Sequence, residues 1–156
     1  FVVFTPGALV LTPGLRRQLG LEKPILYLPG QTAAIDLSGL PRSADGRTLL
    51  VLVQQSCPEC RAQAPFLADV VAAASRLGIR SAMITPAVAR QPSHELASRI
   101  GIPSEAVLVA DFSRLSVAKV PALILVDSKT VVLHAWNDRQ ISSRDTSLLA
   151  AFQLDR

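Results

Sequence analysis

The chain has little with which to build a disulfide scaffold or a metal cluster: its 156 residues include 2 cysteines and 2 histidines. It also lacks the charge of a disordered or solvating segment, since 18% of residues are charged against 49% hydrophobic, and that balance calls for a buried core. The formal charge of +4 comes from 16 basic and 12 acidic residues that are scattered rather than blocked, which argues against a nucleic-acid footprint. No apolar run approaches the roughly eighteen residues that a membrane-crossing helix needs. Internal repeats, low-complexity tracts and interdomain linkers are missing too. What remains is one domain's worth of chain, long enough to bury a core without staples.

The opening Phe1-Val2-Val3-Phe4 is apolar and has two readings, the trailing edge of a removed signal peptide or anchor, or a short arm packed on the domain. Residues 5–29 are interrupted by prolines at 6, 13, 24 and 29, with a two-turn helical patch expected over 14–20 and a short strand over 26–28. Residues 33–37 read as a strand, and Asp45-Gly46 reads as a tight turn. The run 48–53 is apolar on both faces and so predicts a central strand covered on both sides.

Past the cysteines, Phe66, Leu67, Val70, Val71, Ala74 and Leu77 recur at intervals of three and four. They predict a helix over 62–77, kinked by Pro65 and closed by Gly78. A strand over 79–85 then completes a strand, helix, strand unit, which implies a parallel pair. Further expectations are a helix over 93–100, a strand over 107–109, a short helix or turn over 111–117 and a terminal amphipathic helix over 146–154. Between the last two, the runs 122–126 and 131–136, joined by Asp127-Ser128-Lys129-Thr130, predict an antiparallel hairpin.

The two cysteines form a single Cys-x-x-Cys, Cys57-Pro58-Glu59-Cys60-Arg61, between the predicted central strand and the predicted helix. That setting points to thiol redox chemistry. At a helix start the free N–H groups and the dipole favour a negative charge, so Cys57 is expected to be the attacking sulfur, its pKa drawn from about 8.5 towards neutrality. Cys60, one turn further in, is expected to stay protonated until it resolves the mixed disulfide. Pro58 fits the first helical position. Glu59 and Arg61 bring opposite charges beside the pair, and with Pro58 they are candidate modulators.

Other chemistries need residues that are scarce here. Haem attachment wants a histidine after the second cysteine, where Arg61 stands. A peroxidatic cysteine wants threonine or serine three residues earlier, where Gln54 stands. A structural disulfide closing so short a loop would restrict the unfolded chain little. A copper chaperone using both cysteines with His94 or His134 stays open as the alternative from a different functional class. A redox-inert interaction module is a third. No cofactor is expected.

The stretch Cys57-Pro58-Glu59-Cys60-Arg61 with Pro65 resembles the CPxCRxxxP motif of thioredoxin-like proteins of the TlpA/ResA type, and Val120-Pro121 resembles their cis-proline loop. The similarity is closest to the MauD-like branch and runs from about Gly30 to the end. It implies an α/β thioredoxin-like fold over 30–156, with a central mixed sheet flanked by helices, an inserted helix and strand, and an N-terminal extension over 1–29. It further implies a thiol–disulfide oxidoreductase with Val120 and Pro121 shaping a substrate groove. A protein disulfide or dithiol would be the partner, and a membrane-bound electron donor a further one. The place of work would be outside the cytoplasmic membrane, in the periplasm or cell envelope, with a membrane anchor ahead of residue 1.

Two positions depart from thioredoxins. Ser56 stands where they have tryptophan before the first cysteine, and Val51 stands where they have a buried acid. Both departures point to exchange with a specialised partner rather than general disulfide reduction.

Overall fold

The computed structural model describes residues 4–5, 8–9, 27–86, 94–143, 148 and 150. The patch over 14–20 lies outside these residues, as does most of the terminal helix expected over 146–154, of which Leu148 is helical and buried. Near the start, Phe4–Thr5 (β1) pairs antiparallel with Ala8–Leu9 (β2).

The organising element is the strand Thr48–Leu52 (β3), every residue of which is buried. It pairs in parallel with Arg80–Pro86 (β4) on one side and antiparallel with Ala122–Val126 (β6) on the other. Val107–Ala110 (β5) extends the sheet beyond β4 in parallel, and Val132–Trp136 (β7) extends it beyond β6 antiparallel, giving the order β5-β4-β3-β6-β7. The sheet is therefore mixed, as expected.

Two helices make the crossover from β3 to β4: Pro58–Ala62 (α1) and Ala64–Arg76 (α2). The expected kink at Pro65 is a full break two residues before the ring itself, at Gln63, because proline has no N–H to continue the ladder and fits the first turn of a new helix. The buried face of α2 consists of Ala64, Leu67, Val70, Val71 and Ala74, the three-and-four spacing read from the sequence. Gly78 ends the unit with a φ of +74°, a conformation that a side chain resists. The helix His94–Ile100 (α3), a 3₁₀ turn at Ser104–Ala106 and β5 form the expected inserted helix and strand.

Three local expectations are corrected. Residues 33–37 form no strand: Ala33 and Ile35 are buried in alternation, but Ile35 N–H bonds the Ala33 carbonyl and leaves no ladder to join. Among the described residues the pairing nearby is a single bridge from Thr32 to Val131, with Ala33 N–H donating to the Thr130 carbonyl at 2.9 Å. Tyr27 and Leu28 are likewise irregular, with Tyr27 packed in the core and its hydroxyl accepting from Ala34 N–H at 3.3 Å. Finally, a helix not anticipated at 138–142, Asp138–Ser142 (α4), follows β7.

Candidate active site

Sheet register brings the sequence-distant parts of the site together. Leu52, the last residue of β3, lies opposite Ala122, the first of β6. The cysteine loop leaves β3 at the same end at which Pro121 enters β6, so antiparallel pairing alone sets Val120-Pro121 beside the Cys57 turn. The Val120-Pro121 peptide is cis, and the Cys57 thiol donates to the Val120 carbonyl at 3.7 Å. Pro121 is buried and Val120 half-buried.

Cys57 is the N-cap of α1, with extended backbone at φ −80° and ψ 111°. Its sulfur accepts the backbone N–H of Cys60 at 3.1 Å, which is how a cap side chain satisfies one of the spare donors of a first helical turn. Pro58 occupies the start of the helix, where a missing N–H costs nothing. Both cysteines are free thiols, Cys57 partly exposed and Cys60 fully buried. Burial pushes the Cys60 thiol up to about 12, because the thiolate would lose its water; the hydrogen bond and charge of Cys57 add to the rise, and the Gln54 backbone works against it.

Glu59 and Arg61 are both exposed. The Glu59 carboxylate accepts from Gln63 Nε2 at 2.9 Å and from Ser142 Oγ at 2.8 Å, and these bonds hold it below the usual carboxylate range, Gln63 contributing most. The Ser142 contact has no sequence signal, since it joins two helices across a separation of 83 residues. The helix that carries Ser142 did have one. Asn137 and Gln140 stand three apart and form a capping box, in which the Asn137 side chain accepts from Gln140 N–H and the Gln140 side chain from Asn137 N–H.

Val51 is fully buried within β3. Trp136 shares its row across the sheet, Val51 facing Leu123 and Leu123 facing Trp136. The indole is 3% exposed and stacks on His134 at 5.7 Å.

The copper ligand set is not assembled. His134 pairs with Leu125, whose own partner on β3 is Leu49, three residues before the cysteine end of that strand and hence roughly 10 Å along it. His94 is exposed at the start of α3. Among the described residues no three histidine, cysteine or acidic side chains come together as a metal site would require. The described helices also include none long and apolar enough to cross a membrane.

Comparison with known proteins agrees with this architecture. No family model matches the chain, and no curated protein does. Solved structures do match. A Chlorobium tepidum protein provisionally named the thiol:disulfide interchange protein DsbE superposes with a TM-score of 0.52 at 19% identity, covering 83% of this chain and 94% of its own. A domain of a possible thiol-disulfide isomerase from Cytophaga hutchinsonii gives 0.53 at 14%, covering 82% and 97%. A solution structure from Neisseria meningitidis, provisionally named a thioredoxin, gives 0.52 at 14%, covering 71% and 77%. At these identities the likeness establishes the fold, which is thioredoxin-like.

Proposed function

We propose that this protein is a thiol–disulfide oxidoreductase that exchanges disulfides with a protein partner, Cys57 attacking and Cys60 resolving. The observation that carries the reading is the setting of Cys57: a partly exposed sulfur that takes the Cys60 N–H at 3.1 Å at a helix start and lies 3.7 Å from the Val120 carbonyl.

The chemistry follows from the two environments. The Cys57 thiolate attacks one sulfur of a partner disulfide, and the other partner sulfur leaves as a thiolate that takes up a proton. Cys60 then loses its proton and attacks Cys57 Sγ, releasing the second partner thiolate. The partner gains two electrons and the chain ends as the Cys57–Cys60 disulfide; the reverse sequence oxidises a partner dithiol.

The timing is built into the causes of the Cys60 shift. Part of what holds Cys60 protonated is the hydrogen bond and charge of Cys57, and both are removed once Cys57 Sγ is tied in a mixed disulfide. The resolving sulfur thus becomes easier to ionise at the step that needs it. Glu59 is directed towards Gln63 and Ser142 rather than serving as the base for that proton.

Val120 and Pro121 form the wall on which an extended partner segment would lie, the Val120 backbone supplying main-chain pairing. Pro58, Glu59 and Arg61, beside the cysteines in sequence, act as modulators. The Cys57-Pro58-Glu59-Cys60-Arg61 stretch with Pro65 supports placement among the TlpA/ResA-type proteins near the MauD-like branch, with residues 1–29 as an extension. On the same resemblance rests work outside the cytoplasmic membrane, in the periplasm or cell envelope, from an anchor ahead of residue 1 and with a membrane-bound electron donor.

The test is a redox titration of the purified chain against glutathione, followed by mass and thiol count. A reversible two-thiol couple, lost in Cys57→Ser, and a trapped mixed disulfide in Cys60→Ser are the expected results. Absence of the couple, or disulfide turnover that survives Cys57→Ser, overturns the reading.

A further inference from the structure

The end of the sheet remote from the sulfurs holds a cavity of about 610 Å³. β3 and β4 begin there, at Thr48 and Arg80, and β6 ends there at Val126, whereas the dithiol sits at the Leu52 and Ala122 end. A volume of this size falls within the range of about 300–1,000 Å³ typical of small-molecule sites.

Its floor is apolar. Ile35 and Leu40 are buried and Leu37 half-buried, all packed on the core. Its rim carries three cations, Arg42, Arg80 and Lys129, against two acids, Asp36 and Asp127. Both acids are already satisfied by backbone donors: Asp36 accepts Ser38 N–H at 2.9 Å, and Asp127 accepts Lys129 N–H at 2.8 Å and Val131 N–H at 2.9 Å. Arg80 is committed as well, to Thr48 Oγ1 at 2.8 Å and to the Pro41 carbonyl, and burial draws its pKa down.

Arg42 and Lys129 remain exposed on the rim, and among the described residues neither has an ion-pair partner. Ser43 also lines the cavity, its Oγ buried with no hydrogen-bond partner among the described residues. Two exposed cations without ion-pair partners above an apolar floor suit a ligand that is anionic at one end and apolar at the other.

We propose that this cavity binds a small amphipathic anion, its carboxylate, sulfonate or phosphate head held by Arg42 and Lys129 and its apolar body laid on Ile35, Leu37 and Leu40. The site is independent of the dithiol and does not rest on the redox reading. The same head and tail occur in free amphiphiles and in bilayer lipids; a cavity sized for one molecule favours the free form.

The full chain is titrated with anilinonaphthalene sulfonate, whose fluorescence reports transfer to an apolar site, and the dye is competed with decanoate. Saturable one-to-one binding that decanoate displaces is expected. Arg42→Ala with Lys129→Ala should weaken it by about tenfold or more, since each cation makes a charge-assisted contact. Single Arg42→Gln and Lys129→Gln changes should give intermediate losses, and rising salt should weaken wild-type binding. All three variants alter exposed side chains and should keep the wild-type rate of disulfide exchange. Absence of saturable binding, or equal binding by the double variant, overturns the proposal. So does association with phosphatidylglycerol vesicles without binding of either monomeric anion, because a membrane surface would then be the receptor.

Discussion

The carboxylate of Glu59 is fastened to Ser142 by a hydrogen bond of 2.8 Å, which ties the dipeptide between the two cysteines to helix α4. The carboxylate between the two cysteines in sequence is therefore held in place from a distant part of the chain. A side chain that sequence alone leaves free to swing in solvent has a fixed direction.

Removing Ser142 should let Glu59 titrate closer to an ordinary glutamate. Its pKa is lowered by Gln63 first and Ser142 second, so Ser142→Ala should raise the midpoint but only part of the way, and Gln63→Ala should raise it further. Because the folded value is depressed, the associated stability is present above the ordinary carboxylate range and fades as pH falls through the folded value. Side-chain NMR titration of Glu59 in the three proteins measures this directly.

Reduced protein should lose stability in alkali where oxidised protein does not. Cys60 in the folded state keeps its proton up to about 12, while an unfolded thiol releases it near 9.0, so between these values the unfolded state binds fewer protons. Stability linked to Cys60 is then complete below 9.0 and declines as pH rises towards 12. Urea unfolding of the reduced and oxidised forms across this window is the check. A decline of equal size in both forms would contradict the assignment.

In Cys57→Ala, Cys60 should ionise at a lower pH than in the wild type yet still above an ordinary thiol. The substitution removes the hydrogen bond and charge contributed by Cys57 but leaves desolvation, the largest cause, intact. The ultraviolet absorbance of the thiolate followed against pH reports it, as does the rate of alkylation.

Two glycines should respond in opposite ways to alanine. Gly78 has a φ of +74° and a Cβ there would lie 3.4 Å from Ala44 Cβ, so Gly78→Ala should destabilise by about 1–2 kcal/mol. Gly39 has nothing within 4 Å of a built Cβ and no left-handed backbone, so Gly39→Ala should be neutral or stabilising by up to about 1 kcal/mol. Chemical denaturation of both variants separates backbone strain from simple loss of glycine.

Loss of the Asn137 cap should cost about 1 kcal/mol, the usual effect of replacing a capping side chain by alanine. Since α4 carries Ser142, Asn137→Ala should also raise the Glu59 titration midpoint, a readout that stability alone would not move. The two measurements together test whether α4 orders the active-site carboxylate.

Sequence by itself determined the elements that depend on local pattern. The unbroken apolar run around β3 announced a strand buried on both faces, the spacing in α2 announced its inward face, and Gly78 its end. Cys57 and Cys60 were legible because only two cysteines exist and they stand three apart before a helix. The short apolar stretch at 33–37 misled, because apolar character records which side chains are buried but not whether the backbone stays paired, and here the Ile35 N–H turns back to the Ala33 carbonyl.

Tertiary structure alone decided which distant residues meet. The pairing of Leu52 with Ala122 brings the Val120 carbonyl to Cys57, and the packing of α4 brings Ser142 to Glu59. It also decided which did not meet, keeping His94 and His134 away from the sulfurs. The physical reason is that hydrophobic periodicity is a property of neighbours in the chain, whereas strand order and register are set by the whole core at once. A catalytic sulfur can be read from its own turn, but the groups that hold, charge and face it belong to segments whose positions only the packed sheet fixes.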